Sequence, residues 1–170
     1  FPEFMPIPCS EDMIYTGPIS WDKWPYDDYD LNAFLNVQRP LAVVSFGTGI
    51  EQRSVSQRIS SILVDSGYKV ITAGGRNDFS SPNKESGQYG LALNFAPLQE
   101  ILNHASVLIS HGGQMTVFEA LKKQVPVVVM PFQPEQDHNG LCLERISCGA
   151  RLIRHTPFSG NSSVYVEALG

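Results

Sequence analysis

The sequence is poor in several things, and each shortage narrows what it can be. Three cysteines in 170 residues, Cys9, Cys142 and Cys148, form no C-x-x-C pair. An odd, sparse set argues against a disulfide framework and against structural zinc, and points to a reducing, cytoplasmic setting. Charged residues are only 17% of the chain and the net charge is −5. A nucleic-acid or anionic-membrane surface is therefore not expected, and any anionic ligand has to be held by local donors. No apolar run approaches the roughly 18–20 residues a membrane helix needs. There is no initiating Met and no signal-peptide pattern. The chain opens on FPEFMPIPCSED and stops at VEALG, where a helical pattern is only beginning. Both ends read as those of a fragment, with residues 1–12 as an incoming linker to residues 1–170 as one domain.

What is present is an alternation of strands and helices. Leu41 to Phe46 is apolar on both faces, as in a buried parallel strand. Gln52 to Ser66 carries Val55, Ile59, Ile62 and Leu63 at helical spacing, with Gly67 suited to close the helix. Further strands are predicted over 68–73, 91–95, 107–110, 125–130 and 150–153. Helices are predicted over 31–36, 97–104 with Pro97 at its first position, from near Gln114, and over 137–147 with Gly149 closing it. A short strand over 13–16 is also possible on pattern. Residues 74–89 and 156–163 have loop composition. Trp21 and Trp24 suit either a core or a surface facing a partner domain. The fold class implied is α/β, a Rossmann-like, doubly wound parallel sheet with right-handed crossovers.

The informative stretch is 107–139, VLISHGGQMTVFEALKKQVPVVVMPFQPEQDHN. An apolar run ends at Ser110, and His111, Gly112 and Gly113 follow. Without a Cβ the two glycines let a ligand approach the backbone. The helix that follows offers free N–H groups and a partial positive charge, an arrangement that binds phosphate. His111 can donate to the same anion, and Thr116 can add a hydroxyl from the first turn. Glu119 lies three residues on, along the same helix face. A carboxylate repels phosphate, so its natural partners are ribose hydroxyls.

The ordered set His111-Gly112-Gly113-x-x-Thr116-x-x-Glu119-Ala120-Leu121, then Pro126, Pro131 and Glu135-Gln136-x-x-Asn139, resembles the donor-binding signature of UDP-glycosyltransferases, two-domain enzymes of the GT-B fold. The resemblance implies the C-terminal, donor-binding half of such an enzyme. It implies transfer of a sugar from a UDP- or dTDP-sugar to an acceptor hydroxyl, metal-independent and inverting. The general base belongs to an N-terminal acceptor domain, so no catalytic residue is expected here. No cofactor and no metal are expected; the partners are a nucleotide sugar and, through the other domain, a small-molecule or lipid acceptor. By the same resemblance Glu135 and Gln136 meet the donor sugar and Asn139 lies near the phosphates; on their own, all three could be ordinary loop or helix polars.

Two other stretches gain weight from the resemblance. Gly47-Thr48-Gly49 follows a strand and reads alone as either a tight turn or a ligand loop; the family carries a similar segment close to the donor phosphates. Phe95-Ala96-Pro97-Leu98 matches the segment that cradles uracil, although Phe95 could simply end a core strand. His104, His138 and His155 read as structural or surface residues. Four positions depart from the family. Gln124 stands where glycine closes a helix, implying a turn built differently. Glu135 replaces the commoner Asp, and Gln114 and Met115 are unusual at the helix start. Rival readings are a sugar-nucleotide epimerase of the same fold, and a donor-binding subunit that works with a separate acceptor-binding chain.

Overall fold

The computed structural model describes residues 4, 12, 14, 31–47, 53–74, 85, 86, 88–93 and 96–152. Expectations for Thr48, Gly49, Phe95, Trp21, Trp24, Cys9, His155, the loop over 156–163 and, apart from Ile14, the strand over 13–16 lie outside these residues.

The strands are β1 (Leu41–Ser45), β2 (Lys69–Ala73), β3 (Glu85–Ser86), β4 (Gly90–Leu93), β5 (Ala105–Ser110), β6 (Val127–Val129) and β7 (Gly149–Arg151). The helices are α1 (Leu31–Leu35), α2 (Arg53–Asp65), α3 (Leu98–Ile101), α4 (Gln114–Lys122) and α5 (Pro134–Arg145). The sheet order is β3-β4-β2-β1-β5-β6-β7. Every pair is parallel except β3 with β4. Leaving out β3, the six parallel strands run third, second, first, fourth, fifth, sixth, which is the doubly wound nucleotide-binding order.

This order follows from strands with two apolar faces. Along β1, Leu41 and Val43 enter one core while Ala42, Val44 and then Phe46 enter the other. The first core is covered by α3, α4 and α5, through Ile101, Val117, Ala120, Cys142 and Leu143. Among the described helices, the second is covered by α2 through Val55 and Ile59. Burial on both faces is what a parallel sheet requires. At the amino end of β2, Lys69, itself buried, donates from Nζ to the Leu35 and Val37 carbonyls at 2.6 and 2.8 Å. Those bonds tie the end of α1 to the start of β2.

Several expectations need correction. The segment 74–89 is not loop throughout, since β3 adds a short antiparallel edge. Ile62 is 36% exposed rather than inward. Pro97 is the residue preceding α3, not its first, and residues 102–104 tighten into a 3₁₀ turn. The last helix begins at Pro134, three residues early, because Gln133 and Gln136 form a capping box there. Its closing residue is Ser147, not Gly149, which instead pairs with Val127 between β6 and β7. Among the described residues no helix is long and apolar enough to cross a membrane.

Candidate functional site

The sheet reverses direction of growth between β1 and β5, and ligands of such sheets bind beyond the carboxyl ends at that point. Ser45 and Ser110 are paired across the junction, so the loops after them lie side by side. One contains Gly47; the other is His111-Gly112-Gly113.

These loops fit together only because they are glycines. A Cβ on Gly47, whose φ is +73°, would come 3.1 Å from His111 Cε1. A Cβ on Gly113 would come 2.5 Å from His111 Nε2. The imidazole is thus sandwiched between the two glycines. Gly112, at φ +90°, presses on the next layer: a Cβ there would meet Val129 Cγ1 at 2.7 Å and the Gln136 carbonyl at 2.9 Å. Any side chain at Gly112 would be both strained and in collision.

Gly113 precedes α4 and brings no side-chain cap, and no acidic residue sits in the first turn. The helix start therefore keeps its N–H groups and positive end for a ligand. Burial pushes the His111 pKa below its ordinary value, while the Ser45 backbone and the Glu135 carboxylate pull it back. Nδ1 is buried with no hydrogen-bond partner, so Ser45 acts on the ring as a dipole rather than through a bond of full geometry. Thr116 is half-buried on the first turn. Glu119 is only 6% exposed, and its Oε1 has no hydrogen bond. That oxygen is ion-paired at long range with Lys122 Nζ, at 3.8 Å. A buried carboxylate oxygen left in this state is costly unless a ligand satisfies it.

The start of α5 completes the edge. Glu135 is exposed, and its Oε1 accepts from Asn139 Nδ2 at 2.9 Å. The same Nδ2 donates to the Gly112 carbonyl at 2.8 Å. Gln136 is buried, and its Oε1 accepts from the Phe132 and Gln133 N–H groups at 2.8 and 3.2 Å. That oxygen is committed to the helix cap, which leaves the amide NH₂ to reach a ligand. Pro97 and Leu98 lie at the same sheet edge beyond β4, three strands from β5, about 14 Å along the sheet. Pro97 is buried and Leu98 packs on the core.

One contributor was missed in the sequence. Ser110, fully buried, accepts the Gly112 N–H on its Oγ at 3.2 Å and shapes the loop from below. The signal was a hydroxyl ending an otherwise apolar buried strand. His104 is exposed and His138 is half-buried, its Nε2 3.5 Å from Cys142 Sγ.

Residues 35–160 match the model of the glycosyltransferase family 28 C-terminal domain. The chain belongs to that family. Its fold is the nucleotide-binding half of the GT-B architecture. The chain is 31% identical over 167 residues to ugt-50 of Caenorhabditis elegans, named as a candidate UDP-glucuronosyltransferase, covering 89% of this chain and 31% of that protein. It superposes on CalG4, the calicheamicin glycosyltransferase, with a TM-score of 0.66 at 23% identity, over 99% of this chain and 42% of that one. It superposes on Os79 from O. sativa, solved in complex with UDP, with a TM-score of 0.60 at 23% identity, over 80% and 33%. The chain thus spans less than half the length of each relative.

Proposed function

We propose that this chain is the donor-binding domain of a metal-independent, inverting transferase that moves a sugar from a UDP-sugar to an acceptor hydroxyl. The observation that carries the reading is the pairing of an uncapped α4 amino end with a buried Glu119 Oε1 that has no hydrogen bond, on the same helix. An anion fits the first and a pair of vicinal hydroxyls fits the second, and a nucleoside diphosphate offers both. Family membership supports it, and so does the UDP held by Os79.

In this reading the diphosphate rests on the N–H groups at the start of α4, with His111 and Thr116 beside it. As the glycosidic bond breaks, negative charge grows on the leaving diphosphate. The fixed dipole of α4 stabilises that charge without reorganisation, the role a metal would otherwise fill. Glu119 accepts from the ribose, and Glu135 with the Gln136 amide reads the sugar. Gly47 and Thr48 close over the phosphates, and Phe95, Pro97 and Leu98 hold the base. The acceptor and the general base come from a domain outside these residues. The comparisons lend no support to the epimerase alternative, and a two-chain arrangement differs only in whether the acceptor domain is covalently attached.

Calorimetric titration of the chain with UDP, dTDP and UDP-glucose tests this. UDP should bind, and His111→Ala and Glu119→Ala should each weaken it by about tenfold or more. Both variants binding like the parent would mean the site is elsewhere. Sugar transfer by the 170-residue chain alone would contradict the external base.

A further inference from the structure

We propose that Asn139 is a positioning residue that couples the phosphate-binding loop to the sugar-reading carboxylate of the same donor site. This rests on the donor-site reading above, but assigns Asn139 a role behind the ligand rather than in contact with it.

Asn139 is 2% exposed, in the second turn of α5. Its Nδ2 has two hydrogens, and both are used: one on the Gly112 carbonyl at 2.8 Å, the other on Glu135 Oε1 at 2.9 Å. Both partners are acceptors, which fixes the orientation of the side-chain amide. No other described side chain holds the Gly112 carbonyl or the Glu135 carboxylate.

The first bond sets the loop. A trans peptide is planar, with its C=O and N–H pointing in opposite directions, and no cis peptide occurs among the described residues. Drawing the Gly112 carbonyl down onto α5 therefore turns the Gly113 N–H away from α5. That N–H has no acceptor among the described residues, and it stands at the amino end of α4. Asn139 thus aims the donor that meets the anion.

The second bond sets the carboxylate. With Oε1 held by Asn139, Glu135 presents Oε2 to a ligand hydroxyl in a fixed direction. A longer acidic arm than Asp needs such a tether, because its extra torsion would otherwise be lost on each binding event. The tether is short because α5 lies tight against the sheet. A Cβ on Gly140 would come 2.9 Å from Arg151 Cβ and 3.3 Å from Val129 Cβ. The phosphate loop and the sugar reader, 23 positions apart at Gly112 and Glu135, are therefore two ends of one hydrogen-bonded link.

Calorimetry on the 170-residue chain with uridine, UDP and UDP-glucose separates this role from a merely structural one. Asn139→Ala should weaken UDP by about tenfold and leave uridine unchanged. The extra affinity that glucose adds over UDP should shrink, and in a Glu135→Ala background, which has no oxygen for Asn139 to hold, Asn139→Ala should no longer change that increment. Asn139→Ser, which keeps one donor, should fall between parent and Asn139→Ala. Equal weakening of uridine and UDP, or no weakening of UDP, overturns the proposal while leaving the donor site standing. A parent chain that binds no UDP overturns both. On the unmodified chain, ¹⁵N spectra give a reading that needs no variant. UDP should shift the Gly113 amide and the Asn139 side-chain NH₂ together, and UDP-glucose should move the Asn139 signals further. Asn139 signals that stay fixed through both titrations overturn it.

Discussion

His111 shows how much a single residue can be set by its neighbours. Gly47 and Gly113 close on its two sides and burial holds its pKa below 6.5, against the opposing pulls of Ser45 and Glu135. An unfolded chain takes up a proton near the ordinary histidine value, while the folded one resists it. Stability attributable to this residue is therefore full above that value and lost as pH falls through it. Thermal melts at about pH 7.5 and about pH 5 should show a smaller loss of Tm for His111→Gln than for the parent. Equal losses would mean that the ring titrates as it does in water. The residue pattern was legible in the sequence here, because His-Gly-Gly with Thr116 and Glu119 at fixed offsets is a local signal. The link from Asn139 to Gly112 was not legible, since 27 positions separate its ends and only the packed fold brings them together.

At the scale of elements, three helices end in the same way. After α2, the Tyr68 N–H bonds the Leu63 carbonyl and the Gly67 N–H bonds Val64. After α4 the pairs are Val125 with Ala120 and Gln124 with Leu121; after α5 they are Cys148 with Leu143 and Ser147 with Glu144. This double bond pattern needs a left-handed residue. Gly67 supplies it freely at φ +92°, whereas Gln124 and Ser147 are forced there at +58° and +57°. The expectation of a different turn at Gln124 therefore fails: the turn is the usual one, carried by an unusual residue. Gln124→Gly should raise stability by about 1 kcal/mol, read as a higher urea midpoint at constant slope. No gain would mean the Gln124 side chain makes up for the strain. Helix boundaries without a common capping residue are the ones the sequence hides, at Gln124 and Ser147 and again at the start of α5. Gln133 is not a common capping residue, so the sequence does not mark the start of α5, which the capping box with Gln136 sets. The edge strand β3 is not legible in the sequence, because two residues in a polar stretch carry no alternation.

For the whole molecule, strands apolar on both faces announced a parallel sheet, but not its order. Order is set by pairings between distant segments, such as Ala42 with Val107, and periodicity does not encode them. Yet the order decides function, because placing β1 beside β5 puts both glycine loops at the point where the sheet changes direction. The central claim is that a nucleoside diphosphate sits there, on the amino end of α4. A crystal of the chain soaked with UDP tests it directly. The account predicts phosphate oxygens about 3 Å from backbone nitrogens in the segment opened by Gly113, with the ribose hydroxyls on Glu119. Nucleotide bound elsewhere, or ribose hydroxyls away from Glu119 in a crystal that has taken up UDP, would contradict it.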